Sequence, residues 1–125
     1  MATLTTKLTV SGSSADYGAA VALSQTNTLD VSSPFKGISR LDLASGATEV
    51  VYADAGSNGT VFCYIKNNNT TGSGYLDLQI DNGNNTFGTL ENGEFAWIPV
   101  DKNEGVQVIA GGATVEVEYA YWSRT

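Results

Sequence analysis

Apolar and polar residues alternate with a period of two along most of this chain. Leu4, Leu8 and Val10 stand against Thr5, Lys7 and Thr9, the pattern of a half-buried strand. Leu29 and Val31 mark a short strand that Pro34 is expected to stop, because proline has no N–H to give a ladder. Across residues 38–43, Leu41 and Leu43 oppose Arg40 and Asp42. Across residues 48–53, Val50 and Tyr52 oppose Glu49 and Val51. Residues 61–66 are apolar on both faces. Leu76, Leu78 and Ile80 alternate with Tyr75, Asp77 and Gln79, and residues 87–90, 94–100, 106–110 and 113–122 complete the set. Residues 17–23 fit either a strand or a short helical turn.

Turn signals separate these runs. Residues 11–16 and 67–74 read as loops, and Asp81-Asn82-Gly83-Asn84-Asn85 turns the chain. Asn92-Gly93 is a strong hairpin signal, since both central positions of a type I′ turn need positive φ. Gly111-Gly112 is a second hairpin candidate. Eight to ten strands with turns every 8–12 residues, and no helical pattern, predict an all-β fold: an antiparallel β-sandwich of the jelly-roll kind. No linker, repeat or charge block divides the chain, so residues 1–125 read as a single domain.

Composition narrows the chemistry. A length of 125 residues suffices for one core without disulfide or metal. The net charge of -7 argues against nucleic-acid and membrane partners. Histidine is absent, which removes Ser-His-Asp and Cys-His catalysis. The one cysteine, Cys63, forms no internal disulfide and reads as a small buried hydrophobe between Val61 and Ile65. No cofactor and no metal are expected. Only 15% of residues are charged, below the usual quarter, and low surface charge favours extensive contact with a partner. The start of the chain has no basic stretch followed by an apolar run, so synthesis and folding in a cytoplasm are expected. Asn58-Gly59-Thr60 and Asn84-Asn85-Thr86 then read as turn chemistry instead of glycan sites.

Four carboxylates, Glu91, Glu94, Glu116 and Glu118, lie on strands or hairpins. Glu116 and Glu118 share a strand face, about 6–7 Å apart by strand rise. They are a candidate pair for glycoside chemistry, or simply a solvated face. The turn at Asp81–Asn85, with oxygen-bearing side chains at alternate positions, resembles the start of a calcium loop, but Thr86 and Asn92 stand where the bend glycine and the bidentate glutamate belong. A plain Asx-rich turn is the favoured account, with calcium binding as the alternative. Aromatic residues carry more weight. Phe95 and Trp97 face one way while Ala96, Ile98 and Val100 face the other, so both sides of that strand need cover. On the last strand Val115, Val117, Tyr119 and Tyr121 oppose Glu116, Glu118 and Trp122. Trp97 and Trp122 are therefore the candidate interface anchors, with packing in the monomer core as the alternative for both and above all for Trp97. Sugar stacking on Tyr and Trp is a further alternative.

The strand Tyr64-Ile65-Lys66-Asn67 is followed by Leu90-Glu91-Asn92-Gly93-Glu94-Phe95-Ala96-Trp97-Ile98-Pro99-Val100 and then by Val115-Glu116-Val117-Glu118-Tyr119-Ala120-Tyr121. In that order these segments resemble small β-sandwich virion proteins of tailed bacteriophages. Asn92 replaces the proline that often precedes Gly-Glu there. The resemblance covers about half the chain and leaves the first sixty residues unmatched. It implies a non-enzymatic structural component of the phage virion, of the size of capsid decoration (cement) proteins. The major capsid protein would be its partner and the capsid surface its location. A tail or head-to-tail appendage, with glycan binding, is the alternative. A symmetric shell favours a cyclic homo-oligomer, and a homotrimer matches local threefold positions. Residues 2–16 fit a strand, or an arm that docks on a neighbour.

Overall fold

A computed structural model describes residues 2–13, 21–52, 61–80, 85–101 and 103–124. These residues form nine strands and no helix. The chain divides into two compact units, residues 1–31 and residues 32–125.

The first unit is a ribbon. β1 (Ala2–Gly12) pairs antiparallel with the opening part of β2 (Val21–Leu43), from Ala2 opposite Val31 to Gly12 opposite Val21. Residues directly opposite one another project to the same side. One side therefore carries Leu4, Leu8, Val10, Leu23 and Leu29. The other carries threonines, where Thr5 and Thr28 hydroxyls meet at 3.3 Å and Thr3 donates to Asp30 at 3.4 Å.

The second unit is an antiparallel β-sandwich. After β2 its strands are β3 (Thr48–Tyr52), β4 (Val61–Asn67), β5 (Tyr75–Ile80), β6 (Thr86–Leu90), β7 (Phe95–Val100), β8 (Val106–Gly111) and β9 (Val115–Arg124). One sheet runs β2-β9-β4-β7 and the other β3-β8-β5-β6. The core lies between the sheets. Val61, Cys63 and Ile65 of β4 and Val115, Val117 and Tyr119 of β9 meet Leu76, Leu78, Leu90, Val106 and Val108 from the facing sheet. The alternation in the sequence predicts these inward positions.

Three expectations are corrected. Pro34 does not end a strand, because β2 runs through it from Val21 to Leu43. The β1 ladder stops at Val31, so a missing N–H at Pro34 breaks no bond to β1. Val51 is buried alongside Tyr52, and Val50 is exposed instead. A bulge between Val50 and Tyr52 shifts the register against β8 and resets the alternation. Neither Asn92-Gly93 nor Gly111-Gly112 closes a hairpin. β6 and β7 belong to different sheets, as do β8 and β9. The turns themselves form, with Gly93 at φ 79° and Gly112 at φ 76°, and Glu94 N–H donates to the Glu91 carbonyl at 3.0 Å. A glycine pair reports the local φ a turn needs. It does not report which strands pair beyond it.

The two glycines differ in surroundings, and that gives a test. A Cβ on Gly112 would stand 2.4 Å from the Ser73 carbonyl oxygen, whereas one on Gly93 meets open space. Gly93→Ala should cost about 1 kcal/mol, the left-handed penalty alone. Gly112→Ala adds a backbone collision and should cost about 3 kcal/mol. Urea unfolding of the two variants checks the order, and equal losses would contradict it.

Candidate interface on the outer face of one sheet

The side of β2-β9-β4-β7 that faces away from the core is aromatic at one end and charged at the other. β4 sits between β9 and β7, and its register aligns three rows. Phe62 lies between Trp122 and Pro99, Tyr64 between Ala120 and Trp97, and Lys66 between Glu118 and Phe95. Successive side chains alternate across a strand, so these residues share the face opposite Val61, Cys63 and Ile65. The rings meet. Phe62 stacks on Trp97 with centroids 5.5 Å apart and planes 20° apart. Trp97 and Trp122 lie 5.6 Å apart at 37°. The Arg124 guanidinium stands 5.3 Å from the Phe62 ring centroid. These distances are within the favourable range for aromatic pairs and cation–π contacts. Phe62 is buried, while both tryptophans remain half-buried.

Glu118 organises the charged end. It accepts a hydrogen bond from the Tyr64 hydroxyl at 2.8 Å and pairs with the Arg40 guanidinium. The Tyr64 hydroxyl first, and then Arg40, hold the Glu118 carboxyl below its usual range. Arg40 is raised in turn, chiefly by its hydrogen bond to Glu118. Burial, and then the neighbouring carboxylate, push the Tyr64 phenol up to about 12. Glu116 accepts a hydrogen bond from the Asn68 amide at 2.9 Å. A general acid for glycoside chemistry needs a raised carboxyl pKa. Glu118 is shifted the opposite way and stays ionised.

Trp97 and Trp122, singled out in the sequence, thus come together on the outer face, and Trp97 does not enter the core. Glu116 and Glu118 share that face as expected, each bound to a neighbour. Glu94 closes its own turn, accepting from the Glu91 N–H at 2.9 Å. Cys63 is fully buried, and burial pushes its thiol up to about 12, so it is inert at neutral pH. Residues 81–84 of the calcium-like turn lie outside the described residues. Among the described residues no three His, Cys, Asp or Glu side chains converge as metal ligands. Phe62 and Tyr64 were signalled by the apolar character of both faces of residues 61–66. Arg40 and Arg124 had no such signal, because their partners lie on other strands.

Among the described residues of this face, Arg40 pairs with Glu118, and Lys66 stands beside Glu118 in the register. No known protein family, curated protein or solved structure was found to match the chain.

Proposed function

We propose that this chain is a non-enzymatic structural protein of a tailed-phage virion, a capsid decoration (cement) protein that binds and stabilises the coat shell as a homotrimer. The observation that carries this reading is the Phe62–Trp97–Trp122 cluster, set on the outside of the sandwich where ring spacing is 5.5–5.6 Å. Half-buried tryptophans on a sheet face are among the residues that dominate protein–protein binding energy. The resemblance of residues 61–122 to small phage virion proteins points the same way. The strand order from β2 onward, β2-β9-β4-β7 against β3-β8-β5-β6, is read here as a jelly roll, an architecture that serves capsid and lectin domains. A fold alone assigns no function, so the weight rests on the face.

The mechanism in this reading is burial. Excess negative charge keeps free copies apart before assembly. A strand-built surface loses little entropy on docking. Many modest contacts on a repeating shell then add by avidity.

Trp122→Ala and Trp97→Ala should each weaken binding to purified shells by about 30-fold, while circular dichroism keeps its β signature. The bound wild type should raise the heat resistance of the shells. Copy number per particle tests the location directly. Hundreds of copies support a shell protein, whereas a handful, with binding to host glycans, would replace this reading with a tail appendage.

A further inference from the structure

We propose that the outer face of the sheet β3-β8-β5-β6 binds a short, uncharged oligosaccharide, stacking one sugar on Tyr75 and bonding its hydroxyls through Asp77, Thr86 and Thr89. The site goes beyond the reading above and lies on the sheet opposite Trp97 and Trp122.

The floor of the site is a ring laid on glycine. Tyr75 pairs directly with Gly111, and its ring takes the space that a side chain there would fill. A Cβ on Gly111 would stand 2.4 Å from the Tyr75 Cζ, and one on Gly112 would stand 3.3 Å from its Cε1. The phenol therefore lies across the two glycines, with one ring face on their backbone and the other turned away from the sheet. Tyr75 is half-buried in this position, and so is Ile109, which stands opposite Asp77 and extends the apolar floor. A platform already held flat loses little entropy when a ligand docks on it.

Hydrogen-bonding groups stand beside the floor with their directions set. Tyr75, Asp77 and Gln79 take alternate positions on β5, about 7 Å apart by strand rise. The Thr89 hydroxyl donates to one Asp77 oxygen at 2.8 Å, which leaves the second carboxylate oxygen and the Thr89 lone pairs to accept. Gln107 donates to the Gln79 side-chain oxygen at 2.9 Å, and Gln79 donates to the Thr86 hydroxyl oxygen at 3.0 Å. These two buried amides engage the Thr86 oxygen and leave its proton to donate. Thr86 and Thr89 are exposed and Asp77 is half-buried.

The same groups select the ligand. Among the described residues, the register rows of this face hold one carboxylate, Asp77, and no base. Phosphate or sulfate finds no cation there. β5 and β8 are inner strands, paired on both sides, so an extended peptide has no ladder to join. A sugar combines an apolar C–H face with a rim of hydroxyls that both donate and accept. The ring platform matches the first, and the carboxylate and hydroxyl rim matches the second.

Titration calorimetry of the full chain with linear, uncharged oligosaccharides of glucose, galactose, mannose and N-acetylglucosamine tests the site. At least one should bind with Kd of about 1 mM or tighter. Tyr75→Ala and Asp77→Ala should each weaken it about tenfold, whereas Tyr75→Phe keeps the ring and should bind within about twofold of the wild type. Asp77→Ala, at the rim, decides alone should Tyr75→Ala lose its fold by circular dichroism. The bound sugar should shift backbone amide NMR signals of β5, β6 and β8. A wild type that binds none of these probes, binding that ignores both alanine variants, amide shifts on β4, β7 and β9 instead, or tighter binding of a sulfated sugar than of its uncharged parent would overturn the proposal. Copy number reads the place in the particle and sugar binding reads this face, so the two proposals fail independently.

Discussion

Asn67→Ala should lower the stability of the sandwich by about 4 kcal/mol. Asn67 ends β4 and is fully buried. Its amide donates to the carbonyls of Leu90 at 3.0 Å and Gly74 at 3.2 Å. Its side-chain oxygen accepts from the Asn69 N–H at 3.1 Å. Its backbone adds two more bonds, donating to the Glu94 carbonyl at 3.0 Å and accepting from the Gly93 N–H at 2.9 Å. One side chain thus ties the end of β4 to the 68–74 loop and to the end of β6, which belongs to the other sheet. Alanine leaves two carbonyls and an N–H without partners, each costing about 1–3 kcal/mol where water cannot reach. Asn67→Asp keeps the shape but loses both donations and adds a buried charge, so it should be no milder. The check is the urea midpoint at constant m-value. A loss below about 1 kcal/mol would show that water replaces these bonds and that the knot is incidental.

Alkali should unfold the protein through Cys63 and Tyr64. Burial raises the Cys63 thiol from 9.0 to about 12. The folded state therefore keeps a proton that the unfolded chain releases. The stability linked to that proton is complete below pH 9 and disappears as pH rises toward 12. At 1.36 kcal/mol per pH unit the loss amounts to about 4 kcal/mol. Tyr64 adds a similar trend between pH 10 and about 12. Cys63→Ala should cost about 1–2 kcal/mol at pH 7 for the small cavity, yet its stability should fall less from pH 9 upward than that of the wild type. Denaturant titrations at pH 7, 9 and 11 separate the two effects. Parallel decline of the two proteins would rule out the thiol as the cause. The acid side runs in reverse. The depressed Glu118 carboxyl contributes stability above its unfolded pKa, and that contribution is lost as pH falls through the folded value.

Much of the sandwich was legible along the chain because strand formation leaves a short-range mark. Leu76 and Leu78, Val115 and Val117, and Cys63 between Val61 and Ile65 all point inward as their alternation implies. The outer-face aromatics were legible too. Residues 61–66 and 94–100 are apolar on both sides, and an inner core uses only one. Where the pattern failed, a neighbour decided. The bulge beside Val51 depends on how β3 meets β8, and the passage through Pro34 depends on where the β1 ladder stops.

Residue alternation and turn chemistry were enough to establish an all-β chain, its strand positions, the inward residues and the two tryptophans worth watching, since each follows from side-chain direction over a few residues. Which strands pair did not follow. Asn92-Gly93 looks like a hairpin and instead carries the chain from one sheet to the other. Arg40 meets Glu118 across 78 positions, and Trp97 meets Trp122 because β4 holds their strands on either side of it. Those meetings are set by which faces can be buried together, a property of the whole assembled sandwich that no local window of residues contains.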